Sequence, residues 1–270
     1  MIPKVIHYCW FGGNPKPDDV KKYIASWRTY CPDYEIKEWN ESNFDLNENA
    51  YCREAYEAKK WAFVTDYVRL KALYEYGGIY MDTDVEVVKS LDPLLVYNAL
   101  SGYESKTHIP TGTMGACRGN EWIKMLLQDY EHRHFLKSDG SFDLTTNVEV
   151  ITNLTIQKYR LELHGQKQIF GNNILLLPFE YLCAKDLVTG EIKSTENTYT
   201  IHHFSGSWLA EDVRKMSAYS KKYYQQYKKY PLPNGIILNV AKIKAAYELG
   251  GITKIISKAF RMIRRHLNLK

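Results

Sequence analysis

The first 39 residues switch between two hydrophobic periods, and that switch limits the fold more than any other feature of the chain. "KVIHYCWF" is an apolar run that reads as a buried strand, and Gly12-Gly13 breaks it. "KPDDVKKYIASWRTY" then sets Val20, Tyr23, Ile24 and Trp27 at the i, i+3, i+4, i+7 spacing of one helix face. Pro17 followed by Asp18 and Asp19 suits a helix start, and Pro32 stops the helix. "YEIKEW" reads as a second strand. A strand, a helix and a strand in succession point to a parallel α/β sheet.

The pattern continues. Glu54 to Tyr76 reads as helical, with Gly77-Gly78 as its C-cap. "IYM" is the next strand and ends at Asp82, and "VEVV" continues extended beyond Asp84. Further on, "WIKMLLQDYEHRHF" reads as a helix, while "NVEVITNLTIQKY" fits helix or strand. "NILLLPFEYLC" reads as a buried strand ending at Pro178, and "TYTIHHFSGSW" as a strand running into a loop. Past Trp208 the chain turns basic and Tyr-rich, in "VRKMSAYSKKYYQQYKKY", until Pro231 and Pro233 break it. The expected organisation is a catalytic domain over residues 1–210 and a basic helical extension over 211–270.

Composition narrows the class. The five cysteines form no C-x-x-C pair, which argues against a disulfide framework or a structural zinc site and favours a reducing compartment. The net charge of +5 comes from the end of the chain: residues 251–270 hold six Lys or Arg and no acid. No signal peptide is expected, because Met1 leads straight into the first strand. No apolar run approaches the ~18 residues of a membrane span. The 22 Tyr and 6 Trp suit ring-shaped polar ligands such as bases and sugars, although most must fill the core.

The chemistry concentrates in "EYGGIYMDTDVEVV", where a buried strand ends in two aspartates. Side chains alternate along a strand, so Asp82 and Asp84 should point the same way and repel each other. A divalent cation resolves the repulsion, and hard oxygen ligands suit Mg²⁺ or Mn²⁺. Such an ion keeps waters that phosphate oxygens replace, at the strand ends where open α/β sheets bind ligands. Asp66 and Arg69, three apart, share a face of the preceding helix. Such a pair can hold sugar hydroxyls, with Arg also reaching phosphate, or form a plain surface salt bridge. Three other D-x-D chemistries fail or weaken. A calcium loop needs Gly and Glu where Val87 and Pro93 stand. A phosphatase with an aspartyl nucleophile needs a downstream acidic cluster, which is missing. A dinucleotide site needs G-x-G-x-x-G, and "FGGNPKP" is not that.

The stretches "IPKVIHYCWFGG", "SWRTYCPDYEIKEWN", "AFVTDYVRLKALYEYGGIYMDTDVE" and "HHFSGSW" resemble family 32 of the glycosyltransferases. That family includes bacterial capsular-polysaccharide enzymes and fungal Golgi mannosyltransferases, and the clostridial glucosylating toxins share its core. The resemblance implies an α/β fold of GT-A (Rossmann-like) type, a nucleotide-sugar donor with a UDP-sugar favoured, Mn²⁺ or Mg²⁺, and retention at the anomeric carbon. It implies that Trp10 stacks on the donor base and that Asp66 and Arg69 grip donor sugar and ribose. Asp82 would touch ribose, sugar and, through water, the metal; Asp84 would bind the metal directly. His203 falls at a further metal ligand, with His202 or Ser205 as alternatives, and Trp208 at an indole that contacts the diphosphate. Thr65 stands where Ser or Ala is usual. Asp143 and Glu149, around "LTTN", are candidates to face the acceptor.

The implied reaction is hexosyl transfer to a glycan or lipid-linked saccharide in surface or capsular polysaccharide synthesis. Two other classes remain open: a membrane-surface binding module with a degenerate transferase core, and a D-x-D phosphatase. Ile252, Ile255, Ile256, Ala259, Phe260 and Ile263 form an apolar stripe on an otherwise basic helix, which suits either an anionic membrane or packing on the catalytic domain. A peripheral membrane contact through 219–270 and a site at the inner, cytoplasmic face of the cell membrane follow as expectations. The basic patch is local and no recognition motif accompanies it, so nucleic acid is not expected as a partner.

Overall fold

The computed structural model describes residues 1–250 apart from 106, 111 and 208. They divide into two units: residues 1–185 with 193–204, and residues 186–192 with those from 205 onward.

The first unit opens as its periodicity dictates, with β1 (Val5–Cys9), α1 (Asp18–Tyr30) and β2 (Glu35–Trp39). β1 and β2 pair in parallel, Val5 opposite Glu35. The helical stretch that follows is two helices, α2 (Ala50–Glu57) and α3 (Trp61–Tyr76), where the sequence reads as one. Lys59 at φ 56° breaks it, and Lys60 N–H closes back on Ala55 C=O at 2.9 Å. Gly77 ends α3 at φ 68°, where an added Cβ would lie 2.7 Å from the Arg118 nitrogen. The chain turns directly into β3 (Gly78–Met81), which runs parallel to β1 with His7 opposite Tyr80.

Next come β4 (Val85–Val87), β5 (Ala99–Gly102), β6 (Thr113–Ala116), α4 (Glu121–Gln128), α5 (Asn147–Tyr159), β7 (Gln168–Phe170), β8 (Ile174–Leu177), α6 (Phe179–Leu182) and β9 (Thr200–His202). The main sheet has the order β2-β1-β3-β6-β5-β8-β7. β6 is antiparallel to both β3 and β5, so the sheet is mixed. β4 leaves it and pairs with β9 in a separate two-stranded ribbon. Alternation along the strands feeds a core on each face. Ile6, Tyr8, Ile79 and Met81 join α1 residues Val20, Ile24 and Trp27, whereas Cys9 and Tyr80 join α3 residues Val64, Val68 and Leu73. Thr146 Oγ1 accepts from Glu149 N–H, and this N-cap makes "NVEVITNLTIQKY" a helix.

The second unit holds α7 (Glu211–Tyr227) and α8 (Asn234–Glu248), which pack around Tyr223, Tyr224, Ile237, Ala241 and Ala245. Among the described residues no helix is long and apolar enough to cross a membrane. The stripe read at Ile252 to Ile263 lies outside the described residues.

Candidate functional site

The segment Asp82-Thr83-Asp84 is a turn rather than a continuing strand. Asp82 C=O accepts from Val85 N–H at 3.0 Å, and the chain swings out of the main sheet into β4. The two carboxylates converge because the turn folds them together, not because side chains alternate. Asp82 N–H donates to Gly112 C=O at 2.9 Å, which fixes the turn to the end of β6.

Arg69 organises one side of the site. It is almost fully buried and lies 3.2 Å from Asp82 Oδ1 through Nη1 and 3.1 Å from Asp66 Oδ1 through Nη2. Nε and Nη2 also donate to Thr65, at 3.2 Å to its carbonyl and 3.0 Å to its hydroxyl. Its guanidinium sits 4.6 Å from the centre of the Tyr80 ring, and Tyr80 O–H donates to Asp82 Oδ1 at 2.9 Å. Burial works against charge on Arg69, but Asp82, Tyr80 and Asp66 hold its pKa above the usual value. Burial pushes the Asp66 carboxyl up to about 6, opposed by Arg69 and by a hydrogen bond from Asn147 Nδ2 at 3.2 Å. Asp66 and Arg69 are thus part of a buried network rather than a surface pair.

The other side is built by the ribbon. β9 sets His202 opposite Val85, so its Nε2 lies 3.2 Å from Asp84 Oδ1. Asp82, Asp84 and His202 each offer a ligand atom, and these atoms lie within 4.8 Å of one another. Burial alone would lower the His202 pKa, but the Asp84 carboxylate outweighs it and holds the imidazole well above its ordinary value. Gly112 packs flat on that ring; an added Cβ would stand 2.7 Å from His202 Nδ1.

His203, the expected ligand, faces the other way. Its backbone N–H donates to Asp84 C=O at 2.9 Å, while its Nε2 meets Glu86 Oε2 at 2.8 Å. The Tyr23 ring stacks on it at 4.4 Å, and Lys185 Nζ reaches its Nδ1 at 3.4 Å. It is His202, the alternative named from sequence, that joins the aspartates.

Trp10 is half-buried, and its Nε1–H donates to Asn14 C=O at 2.7 Å. Beside its strand end lies an open cavity of about 590 Å³ lined by Gly12, Gly13, Asn14, Glu41, Tyr56, Lys59 and Trp61. The aromatic walls there are Tyr56 and Trp61, which the sequence does not single out. Trp208 lies outside the described residues. Asp143 bonds Arg133 at 2.7 Å and Glu149 is exposed, so neither meets Asp66. Asn147, between them, does. It is buried, and its Oδ1 has no hydrogen-bond partner among the described residues.

Residues 17–101 match a family model described as a glycosyltransferase sugar-binding region containing a DXD motif. The chain is similar to inositol phosphoceramide mannosyltransferase 3 of Schizosaccharomyces pombe, 29% identical over 136 residues that make up 47% of this chain and 37% of that protein. It is similar to a mannosyl phosphorylinositol ceramide synthase of Saccharomyces cerevisiae, 26% identical over 49% of this chain and 35% of that protein. The matches thus span little more than a third of these relatives' length. Among solved structures, the PaToxG glycosyltransferase aligns with a TM-score of 0.45 and 20% identity, covering 58% of this chain and 70% of that one. The fold is α/β, as the sequence implies, with a helical C-terminal region and the D-x-D turn leaving the end of β3.

Proposed function

We propose that this protein is a metal-dependent glycosyltransferase that moves a sugar from a nucleotide-sugar donor to a hydroxyl acceptor, with retention at the anomeric carbon. The observation that carries the reading is the convergence of Asp82, Asp84 and His202 beside the buried Arg69, within and next to the segment that matches the DXD region.

The donor set suits a divalent cation. Two carboxylates alone fit Mg²⁺ or Mn²⁺, and an imidazole in the set favours Mn²⁺. Bound there, the ion supplies positive charge to the diphosphate of the donor. Asp84 and His202 would hold it, His202 giving up its proton to do so, and Arg69 keeps Asp82 turned toward the same point. Every nitrogen of Arg69 meets a protein oxygen, so it acts chiefly by orienting Asp66 and Asp82. Asn147 Oδ1 is an open acceptor next to Asp66 and suits a sugar hydroxyl. In the transfer, the bond from the anomeric carbon to the diphosphate oxygen breaks. A bond from the acceptor oxygen forms on the same face, and the departing phosphate oxygen takes the acceptor's proton.

A UDP-sugar is the favoured donor. The acceptor is a glycan or a lipid-linked glycan, consistent with the phosphoceramide named for the fungal relatives. Surface or capsular polysaccharide synthesis at the inner, cytoplasmic face of the cell membrane is the proposed setting.

The test is a thermal-shift series with UDP, GDP, CDP and ADP, each with and without Mn²⁺. One diphosphate should stabilise the protein only when the metal is present, by an amount that grows with its concentration. Stabilisation that ignores the metal, or none with any diphosphate, overturns the reading.

A further inference from the structure

α8 carries apolar side chains on two separate faces. Ile237, Ala241 and Ala245 are buried against α7. Ile236, Val240, Ile243 and Tyr247 lie on another face and are 49%, 44%, 54% and 52% exposed. At 3.6 residues per turn these four fall within an arc of about 60°. Leu232, just before the helix, is equally bare at 50%. A single exposed aliphatic is ordinary, but a row of them on one helix face marks a surface that meets something.

Charge indicates what it meets. Residues 1–204 hold 22 Lys or Arg and 28 Asp or Glu, whereas residues 205–270 hold 14 and three. The chain is therefore split into an acidic part and a strongly basic part. Lys222 lies 5.7 Å from the ring centres of both Tyr219 and Tyr223, and Lys244 lies 5.4 Å from that of Tyr247. Tyrosine and lysine beside an aliphatic stripe are the side chains that sit at a boundary between hydrocarbon and anionic headgroups.

We propose that the exposed face of α8 docks on an anionic lipid surface, with Ile236, Val240, Ile243 and Tyr247 entering the headgroup layer and Lys244, which pairs with Glu248 at 3.0 Å, flanking them toward the lipid phosphates. A second copy of the chain fits less well, because two such basic faces repel. Nucleic acid supplies phosphates but nothing for four aliphatic or phenolic side chains in a row to enter. The inference needs no step of the transfer chemistry.

The experiment is co-sedimentation of the full chain with phosphatidylcholine vesicles, with and without about 30% phosphatidylglycerol, at low and raised salt. The wild type should bind only the anionic vesicles. The variant Ile236→Ser/Val240→Ser/Ile243→Ser changes exposed positions only, and circular dichroism checks its fold. It should bind about ten-fold more weakly or worse. Lys244→Glu should weaken binding and flatten its salt dependence. Failure of the wild type to bind, or wild-type binding by the serine variant, overturns the inference. So does a wild-type dimer that the serine variant turns into a monomer, since the face would then belong to a second copy. Metal-dependent donor hydrolysis by the serine variant should be unchanged, so this inference and the transferase reading fail separately.

Discussion

Acid should loosen the packing of β1 against the end of β2 and the entry to β3, and His7 is the reason. His7 lies in β1 and is fully buried. Its Nε2–H donates to Gly77 C=O at 2.7 Å, and its Nδ1 accepts from Trp39 Nε1–H at 3.2 Å. One nitrogen donates and the other accepts, so the neutral ring satisfies both partners. A proton on Nδ1 would face the Trp39 N–H and charge a ring with no water around it. Burial lowers the His7 pKa to about 4, with the Gly77 carbonyl opposing and the Lys37 charge adding to the shift. The unfolded chain binds the proton near 6.5. Between those values the unfolded state holds more protons, so stability rises with pH there. The His7 contribution is full above about pH 6.5 and is lost as pH falls toward 4. A shift of roughly 2.5 units corresponds to about 3 kcal/mol. Urea unfolding followed by circular dichroism from pH 7.5 to 4 measures it. His7→Gln cannot titrate, and its stability should fall with acid by about 3 kcal/mol less than that of the wild type. Subtracting the two curves removes the other groups that titrate in this range, Asp66 among them. If the curves run parallel, or if NMR titration of the His7 ring gives an ordinary histidine value, the reasoning is wrong.

Five substitutions at four positions test the site. Asp84→Asn should abolish donor hydrolysis and weaken Mn²⁺ binding about 100-fold by calorimetry, while circular dichroism shows the fold intact. Arg69→Met leaves Asp66 and Asp82 buried without their cation and should cost about 3–5 kcal/mol in urea unfolding; Arg69→Lys keeps the charge but not the fork, and should recover stability better than turnover. Gly112→Ala should push the His202 ring and lower Mn²⁺ affinity about ten-fold or more, with a much smaller effect on diphosphate binding where metal is saturating. Asn147→Ala should raise KM for the donor sugar with little change in the affinity for its free nucleoside diphosphate, since only the sugar would meet the amide.

What the sequence could and could not reveal follows from how far apart the interacting residues stand. Of Val20, Tyr23, Ile24 and Trp27, read as one helix face, three are buried and Tyr23 is half-buried; the face is legible because its signal lies within about two turns of helix. The break at Lys59 is missed because a non-glycine residue at φ 56° carries no signature. The convergence of Asp82 and Asp84 is foreseen from strand alternation, yet the chain achieves it with a turn. Both routes aim the carboxylates together, so the pattern was informative for the wrong structural reason. His202 and His203 could not be separated from sequence. Alternation says only that they face opposite ways. The pairing of β9 with β4, more than a hundred residues apart, decides that His202 takes Asp84 and His203 takes Glu86. Asn147 was within reach only in part: Thr146 signals a helix start, but nothing local points to Asp66, 81 residues earlier.

Charge balance explains why the site is organised around two separate supports. Asp66, Asp82 and Asp84 gather three carboxyl groups at one end of the sheet; Arg69 sits between Asp66 and Asp82, and His202, held well above its ordinary pKa, meets Asp84. In the proposed reaction the nucleoside diphosphate approaches this end as an anion, and a cation there would offset its repulsion from the carboxylates. Lys185 stands next to His203, on the Glu86 side of the ribbon. Arg69 must remain between Asp66 and Asp82, because releasing either would strand a buried carboxylate. In the proposed reading, a divalent cation would supply the charge that meets the phosphates, at the point where ligand atoms from the turn and from β9 come together. Only by crossing to pair with β9 does the chain place Asp84 against His202 while Asp82 stays anchored to Arg69 and Tyr80.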